Sequence, residues 1–241
     1  MPLRPTLSAS LAACFGAACV VVVATAAPAL TVFDLTLAGL PLGTVTLDAE
    51  QSGAEYAAVS RITPNGVVNL VAGYAFDGRA TGRIDAEGRI SPLTFEADST
   101  SPRASRRTEI EWRDGAPVRV SVEPPRQYAA DPARVAGALD PVSAGFALLR
   151  DNALSEICDT TIDVFDGSRR SRLSLGKPVA AGAGVTCTGL YARLEGEAHS
   201  LSSQTEYPFT LTFTPTAAGQ VQLQRIETRT RFGLAVVDRR G

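Results

Sequence analysis

Residues 157–175 read ICDTTIDVFDGSRRSRLSL. Three aspartates, a cysteine and three arginines crowd into this stretch, which poses a choice between a reactive cluster and a piece of scaffold. Asp166-Gly167 is a strong signal for a two-residue hairpin turn. A turn centred there sets Phe165 opposite Ser168, Val164 opposite Arg169, Asp163 opposite Arg170 and Ile162 opposite Ser171. Sorted by face, Cys158, Thr160, Ile162 and Val164 then join Leu173 and Leu175, while Asp159, Thr161, Asp163 and Phe165 join Ser168, Arg170, Arg172 and Ser174. Both strands agree on the apolar face, which is the period-two signature of a half-buried antiparallel pair. Asp163 then sits opposite Arg170 with Arg172 on the diagonal, and opposite charges so placed support a strand pair by roughly 0.2–1 kcal/mol. The charge density reads as the solvent face of a hairpin built on Asp163, Asp166, Gly167 and Arg170. Phe165 and Arg169 do not fit their faces, and both lie beside the tip, where burial is expected to be weakest.

The same alternation runs through most of the chain. TVFDLTLAG (31–39) puts Phe33, Leu35 and Leu37 on one face, and GTVTLDAEQSG (43–53) puts Val45, Leu47 and Ala49 inward. RRTEIEWRDG (106–115) alternates Thr108, Ile110 and Trp112 with charge, and PVRVSVEP (117–124) does so with Val118, Val120 and Val122. PNGVVNLVAG (64–73) is apolar without alternation and reads as a helical turn or a loop dipping into the core. Residues 123–141 lose the strand rhythm and lead to the one convincing helix. Asp140 is a good N-cap, Pro141 suits the first helical position, and Val142, Phe146 and Leu149 fall on one stripe, so a helix is expected over about 141–151. From residue 177 to the end the chain reads as strands again. The expected fold is one mainly all-β domain, an antiparallel curved sheet forming a sandwich or an incomplete barrel, with one inserted helix near 141–151.

The first residues bear on compartment. Arg4 precedes an uncharged Ala/Val-rich run ending in Ala24-Thr25-Ala26 and Ala27-Pro28-Ala29, two small-residue cleavage patterns. This reads as a secretory signal peptide over 1–26, with a cut after 29 as the alternative and domain 27–241 to follow. An uncleaved anchor is the rival reading, since no charge occurs between Pro5 and Phe33. LAAC (11–14) has the look of a lipobox, but Cys14 precedes the most apolar residues, Val20 to Val23. The expected home is the periplasm, with no transmembrane span in the mature chain. About 215 mature residues suffice for a single core that buries roughly 70% of the unfolded surface. Without Arg4 the formal charge moves from −2 to −3, which argues against a nucleic-acid partner.

Two of the four cysteines, Cys14 and Cys19, fall in the leader. In an exported chain the remaining Cys158 and Cys187 are expected to pair, a cross-link worth about 3.5 kcal/mol on the chain-entropy estimate; two buried free thiols are the alternative. Neither a C-x-x-C nor a nearby histidine points to redox or metal chemistry. The single histidine, His199, has Ser and Glu neighbours and reads as an exposed loop residue. No nucleophile elbow, P-loop or dinucleotide fingerprint is present. Glu109, Glu111, Asp159 and Asp163 could in principle serve as paired carboxylates for glycoside cleavage, but each fits a charged strand face. Aromatics at 6% are too sparse for the girdles of an outer-membrane barrel.

Several motifs carry a family likeness: Asp140-Pro141-Val142-Ser143, Cys158-Asp159, Val164-Phe165-Asp166-Gly167, Arg169-Arg170, and Cys187 with Tyr191, Arg193 and Gly196. GRISPLTFEADS (88–99) and RIETRTRFG (225–233) fit as well. On these residues the sequence resembles domain of unknown function 3108, a family of exported Gram-negative proteins. The resemblance implies a periplasmic, mostly antiparallel β protein and brings no catalytic residue with it.

No catalytic, cofactor-binding or metal-binding residues are therefore expected. Two roles remain. One is a binding module whose concave face holds an apolar or lipid-like small molecule, with Val68, Leu70, Phe146 and Leu149 lining the site. The other is an envelope scaffold that contacts another envelope protein by a sheet edge or surface patch. A cavity of several hundred Å³ would favour the first, and a filled interior the second.

Overall fold

The structure, a computed structural model, describes residues 29–66, 74–101, 104–150, 153, 157–197, 204–216 and 219–241. Residues 1–26, expected to be a leader, and Val68, Leu70 and His199 lie outside the described residues. The alternating segments form a meander, β1 (Ala29–Leu37), β2 (Leu40–Ser52), β3 (Glu55–Pro64), β4 (Ala75–Ile84), β5 (Ile90–Ser101), β6 (Ala104–Arg113) and β7 (Ala116–Glu123). Each strand is antiparallel to the one before it. After a linker containing a short 3-10 turn at Pro132–Arg134 comes helix α1 (Pro141–Leu149). Then follow β8 (Thr161–Phe165), β9 (Arg170–Leu175), β10 (Val179–Ala181), β11 (Gly184–Glu195), β12 (Glu206–Pro215), β13 (Val221–Thr230) and β14 (Gly233–Arg239). β14 pairs with β1, so one sheet runs from β7 through β1 and β14 to β8.

The sheet curves until its two ends meet without pairing. A Cβ on Gly167, in the β8–β9 loop, would lie 2.7 Å from Thr108 Cγ2 of β6 and 3.0 Å from Val122 Cγ2 of β7. The linker fills the seam between the ends. Gly137 N–H donates to Gly115 O at 2.8 Å, and Leu139 exchanges 2.8 Å bonds with Asp163 and Phe165 of β8. Ala130 N–H adds a 2.8 Å bond to Ser168 O. Strand-like pairing by an irregular segment satisfies backbone groups that burial would otherwise leave unpaired.

Two clusters form the interior. The first gathers Leu47, Tyr56, Phe95, Ile110, Trp112, Phe146 and Phe165 from β2–β6, α1 and the end of β8. The second gathers Ile157, Cys158, Leu175, Cys187, Leu211, Phe213 and Leu223. Helix α1 begins as expected. The Asp140 carboxylate accepts from Val142 N and Ser143 N, each at 2.9 Å, and Pro141 follows at a position whose N–H would go unused. Its buried residues are Val142, Ser143, Ala144 and Phe146, and its last residue is Leu149 rather than Asp151. β4 makes room for it by turning Gly78, Ala80 and Gly82 inward. A Cβ on Gly78 would meet Val142 Cγ2 at 3.0 Å and the Phe76 ring at 2.5 Å.

Three expectations need correction. First, the β8–β9 register is two residues off: Asp163 faces Arg172, Val164 faces Ser171 and Phe165 faces Arg170. The cause is Asp166, whose Oδ1 accepts from Ser168 N at 2.9 Å and Arg169 N at 2.6 Å. This side-chain turn holds a four-residue loop instead of a two-residue one. A shift of two preserves the faces, so the charged cluster survives with the partners exchanged. Second, the hairpin tip is not weakly buried. Phe165 is 0% exposed and belongs to the buried cluster that also holds Ile110, Trp112 and Phe146, and the Asp163 and Arg170 side chains are half-buried rather than on open solvent. Third, Val118 is 54% exposed. The pairing passes from Glu111↔Arg119 to Trp112↔Pro117, leaving Val118 as the extra residue of a bulge.

Candidate functional site

A cleft of ≈740 Å³ opens on the concave side where α1 ends. Its apolar lining is Leu47 and Ala49 of β2, Ile84 at the end of β4, and Phe146 and Leu149 of α1. Leu149 packs against both clusters, so the cleft lies on the line between them. The rest of the lining is polar: Thr31, Gln51, Gln220, Gln222, Arg150 and Arg239. The β4–β5 turn completes the wall with Asp85 and Glu87, both ion-paired to Arg89, at 2.7 and 3.2 Å. Hydrogen bonds from the Arg89 backbone and side chain hold the Asp85 carboxyl below its ordinary range.

Of the residues expected to line a ligand site, Phe146 and Leu149 line this cleft, while Val68 and Leu70 fall outside the described residues. Sequence reasoning missed the two arginines. Arg239 enters the cleft because β14 pairs with β1 so that Phe33 faces Arg239. Its Nη2 donates to Thr31 Oγ1 at 3.3 Å, and the guanidinium lies 5.8 Å from the Phe33 ring centre. Arg150 leaves the end of α1, donates from Nη2 to Gly88 O at 2.9 Å and lies 5.8 Å from the Phe146 ring centre.

Beneath the cleft lies a buried polar chain. Ser143 Oγ–H donates to Asp140 Oδ2, and the Tyr56 hydroxyl shares a 2.6 Å bond with Ser143 Oγ. The Tyr56 ring stacks on Phe146 at 4.9 Å. Burial pushes the Tyr56 phenol above its ordinary range, and it raises Asp140 to about 6 against hydrogen bonds from Ser143 and Val142 that pull it down. Asp140 and Ser143 are 0% exposed, so no substrate reaches them from solvent. The chain fastens the N-terminus of α1 to β3 and thereby sets the position of Phe146.

The hairpin cluster is also structural. Arg172 Nε donates to Asp163 Oδ1 at 2.6 Å, and Arg170 Nη2 donates to Asp163 Oδ2 at 3.0 Å. The Arg172 bond in particular keeps the Asp163 carboxyl below its usual range. None of Asp163, Asp166, Gly167 and Arg170 lines the cleft. Glu109 is held by Arg107 and Arg119, and Glu111 by Arg119, so these carboxylates are spent on strand-face ion pairs. Cys158 and Cys187 come together in bonding contact, with their Cα atoms 6.0 Å apart. Among the described residues no three His, Cys, Asp or Glu side chains gather as a metal site, and no helix is long and apolar enough to cross a membrane.

No curated protein matches the chain. The crystal structure of a beta-barrel-like protein of domain of unknown function DUF1849 from Brucella abortus is similar at a TM-score of 0.46 and 15% identity. That alignment covers 88% of this chain and 95% of the other. The family model described as protein of unknown function (DUF3108) matches residues 32–180, which span β1 to β10 and include the helix cap, Cys158 and the hairpin. The chain belongs to the DUF3108 family.

Proposed function

We propose that this is a non-catalytic periplasmic binding protein that holds a lipid-like molecule in the concave cleft. The carrying observation is the cleft itself. Its ≈740 Å³ falls within the range of about 300–1,000 Å³ typical of small-molecule sites, and Phe146 and Leu149 form part of its floor. Export is supported by the leader-like N-terminus and by the bonding contact of Cys158 with Cys187, since such pairs persist in oxidising compartments. The test is native mass spectrometry of protein purified from the periplasm, followed by organic extraction. A stoichiometric amphiphile or apolar molecule is the expected result. Recovery of empty protein under conditions that retain added ligand would overturn the reading.

One observation favours the scaffold alternative. The bulge in β7 leaves Val118 in solvent, an apolar point on the surface suited to contact with an envelope protein. Cross-linking from position 118 in the periplasm would capture that partner.

A further inference from the structure

We propose that the cleft selects a single-chain amphiphile with an uncharged, hydroxyl-bearing head, which takes a hydrogen bond from Thr31 and pairs with the amides of Gln51 and Gln220 while its chain lies over Leu47, Ile84, Phe146 and Leu149. This deepens the binding reading above and rests on it. The argument begins with Thr31. It lines the cleft and is only 7% exposed. Its Oγ1 accepts from Arg239 Nη2 at 3.3 Å. A guanidinium can only donate, so this bond leaves the Thr31 hydroxyl proton unused, and no described residue accepts it. A buried donor without an acceptor is costly. An oxygen of a bound head group would supply that acceptor.

The other lining groups favour an uncharged head. Every ionised side chain of the cleft is already engaged. Asp85 and Glu87 are paired with Arg89, at 2.7 and 3.2 Å. Arg150 donates to Gly88 O beside the Phe146 ring, Arg239 lies beside the Phe33 ring, and both arginines have further contacts. An ionic head would therefore shed water without gaining a free counter-charge, whereas a neutral head loses far less on entry. Donor-and-acceptor chemistry is what remains for recognition. Gln220 is exposed, and its bond with Thr216 runs through its backbone carbonyl, which leaves the side-chain amide open. Gln51 donates to Gly53 O at 3.1 Å and keeps its amide oxygen as an acceptor. An amide both donates and accepts, and a hydroxyl answers both, whereas a carboxylate answers the donor alone. The ≈740 Å³ of the cleft suits a molecule of about drug size, one chain rather than two.

The test is calorimetric titration of the delipidated protein with monolaurin, dodecyl glucoside, laurate and dodecyltrimethylammonium, which share a chain length and differ in the head. At least one of the two neutral molecules is expected to bind about tenfold or more tighter than either ion. The tighter one identifies the source, a monoglyceride-type head for monolaurin or a sugar head for the glucoside. Thr31→Val is expected to cut that margin several-fold, and Thr31→Ser, which keeps a hydroxyl, to preserve it. An ion binding as tightly as the better neutral molecule, or a margin unchanged in Thr31→Val, would overturn the neutral-head proposal while the cleft reading stands. Failure of all four molecules to bind would overturn both. Thermal melts accompany each variant. Should Thr31→Val not fold, Gln220→Ala, at an exposed position, is read in its place for a smaller loss of the same margin, and an unmoved margin there counts equally against the proposal.

Discussion

The two halves of the interior are held by different means. Under β2–β6 the sheet is covered by α1, and the core is rich in large rings: Tyr56, Phe95, Trp112, Phe146 and Phe165. Under β9–β13 the core is mostly aliphatic, with Phe213 buried and Phe209 at its margin, and a covalent tie between Cys158 and Cys187 runs through it. The helix-covered half achieves cohesion by close packing, which needs a precise fit around Gly78 and Gly82. The disulfide-tied half lowers the freedom of the unfolded chain and asks less of its side chains. The cleft lies where the cover ends, because α1 stops at Leu149 and the polar residues of β13 and β14 take over. The lesson is that the helix shapes the site while the disulfide stabilises a region beside it.

The sharpest way to break this comparison is Phe146→Ala. It removes a ring that stacks on Tyr56 and lines the cleft, and it should cost about 3–5 kcal/mol by denaturant unfolding, as large-to-small core changes do. Binding to the cleft should fall with it. A variant that lost stability but bound as before would separate the helix from the site and sink the comparison.

Replacing Cys158 and Cys187 together by serine comes next. Stability should fall by about 2–4 kcal/mol. Amide exchange should accelerate chiefly in β8, β9 and β11, with cleft binding retained below the new melting point. Equal loss of protection in β3–β5 would show that the halves are one cooperative unit.

The smallest effect is a dependence on pH. Burial raises the Asp140 carboxyl to about 6 in the folded protein, above its ordinary value. Between about pH 4 and 6 the folded state therefore holds a proton that the unfolded chain has released, and raising pH through this window withdraws stability, on the order of 1–3 kcal/mol. Asp140→Asn removes that titration. The stability gap between the two proteins, followed by thermal melts from pH 4 to 7, should change across this window. A constant gap would mean that Asp140 stays charged throughout and that its hydrogen bonds outweigh its burial.

Much of the architecture was legible from local chemistry. Alternation in β1, β2 and β6 and the Asp140-Pro141 helix start each rest on neighbours in sequence, so a linear reading reached them. The β8–β9 faces were legible for the same reason, since side-chain parity does not depend on loop length. The register was not, because it turned on whether the Asp166 carboxylate would fold back on Ser168 and Arg169. Phe165 was misread because it joins a cluster with Ile110 and Trp112, residues remote in sequence that a tip residue meets only when the sheet curls round.

The site shows the same division. Phe146 and Leu149 were visible as a helix stripe, whereas Arg239 sits in a C-terminal run with nothing local to mark it. Its place in the cleft follows from pairing with β1, across 208 residues to Thr31. Sequence alone determined the alternation of faces, the helix cap and the family, because propensity, capping and patterning act within a few residues. Tertiary structure alone decided the register, the buried tip and the charged cleft, because curvature and long-range strand pairing choose which distant side chains share one space.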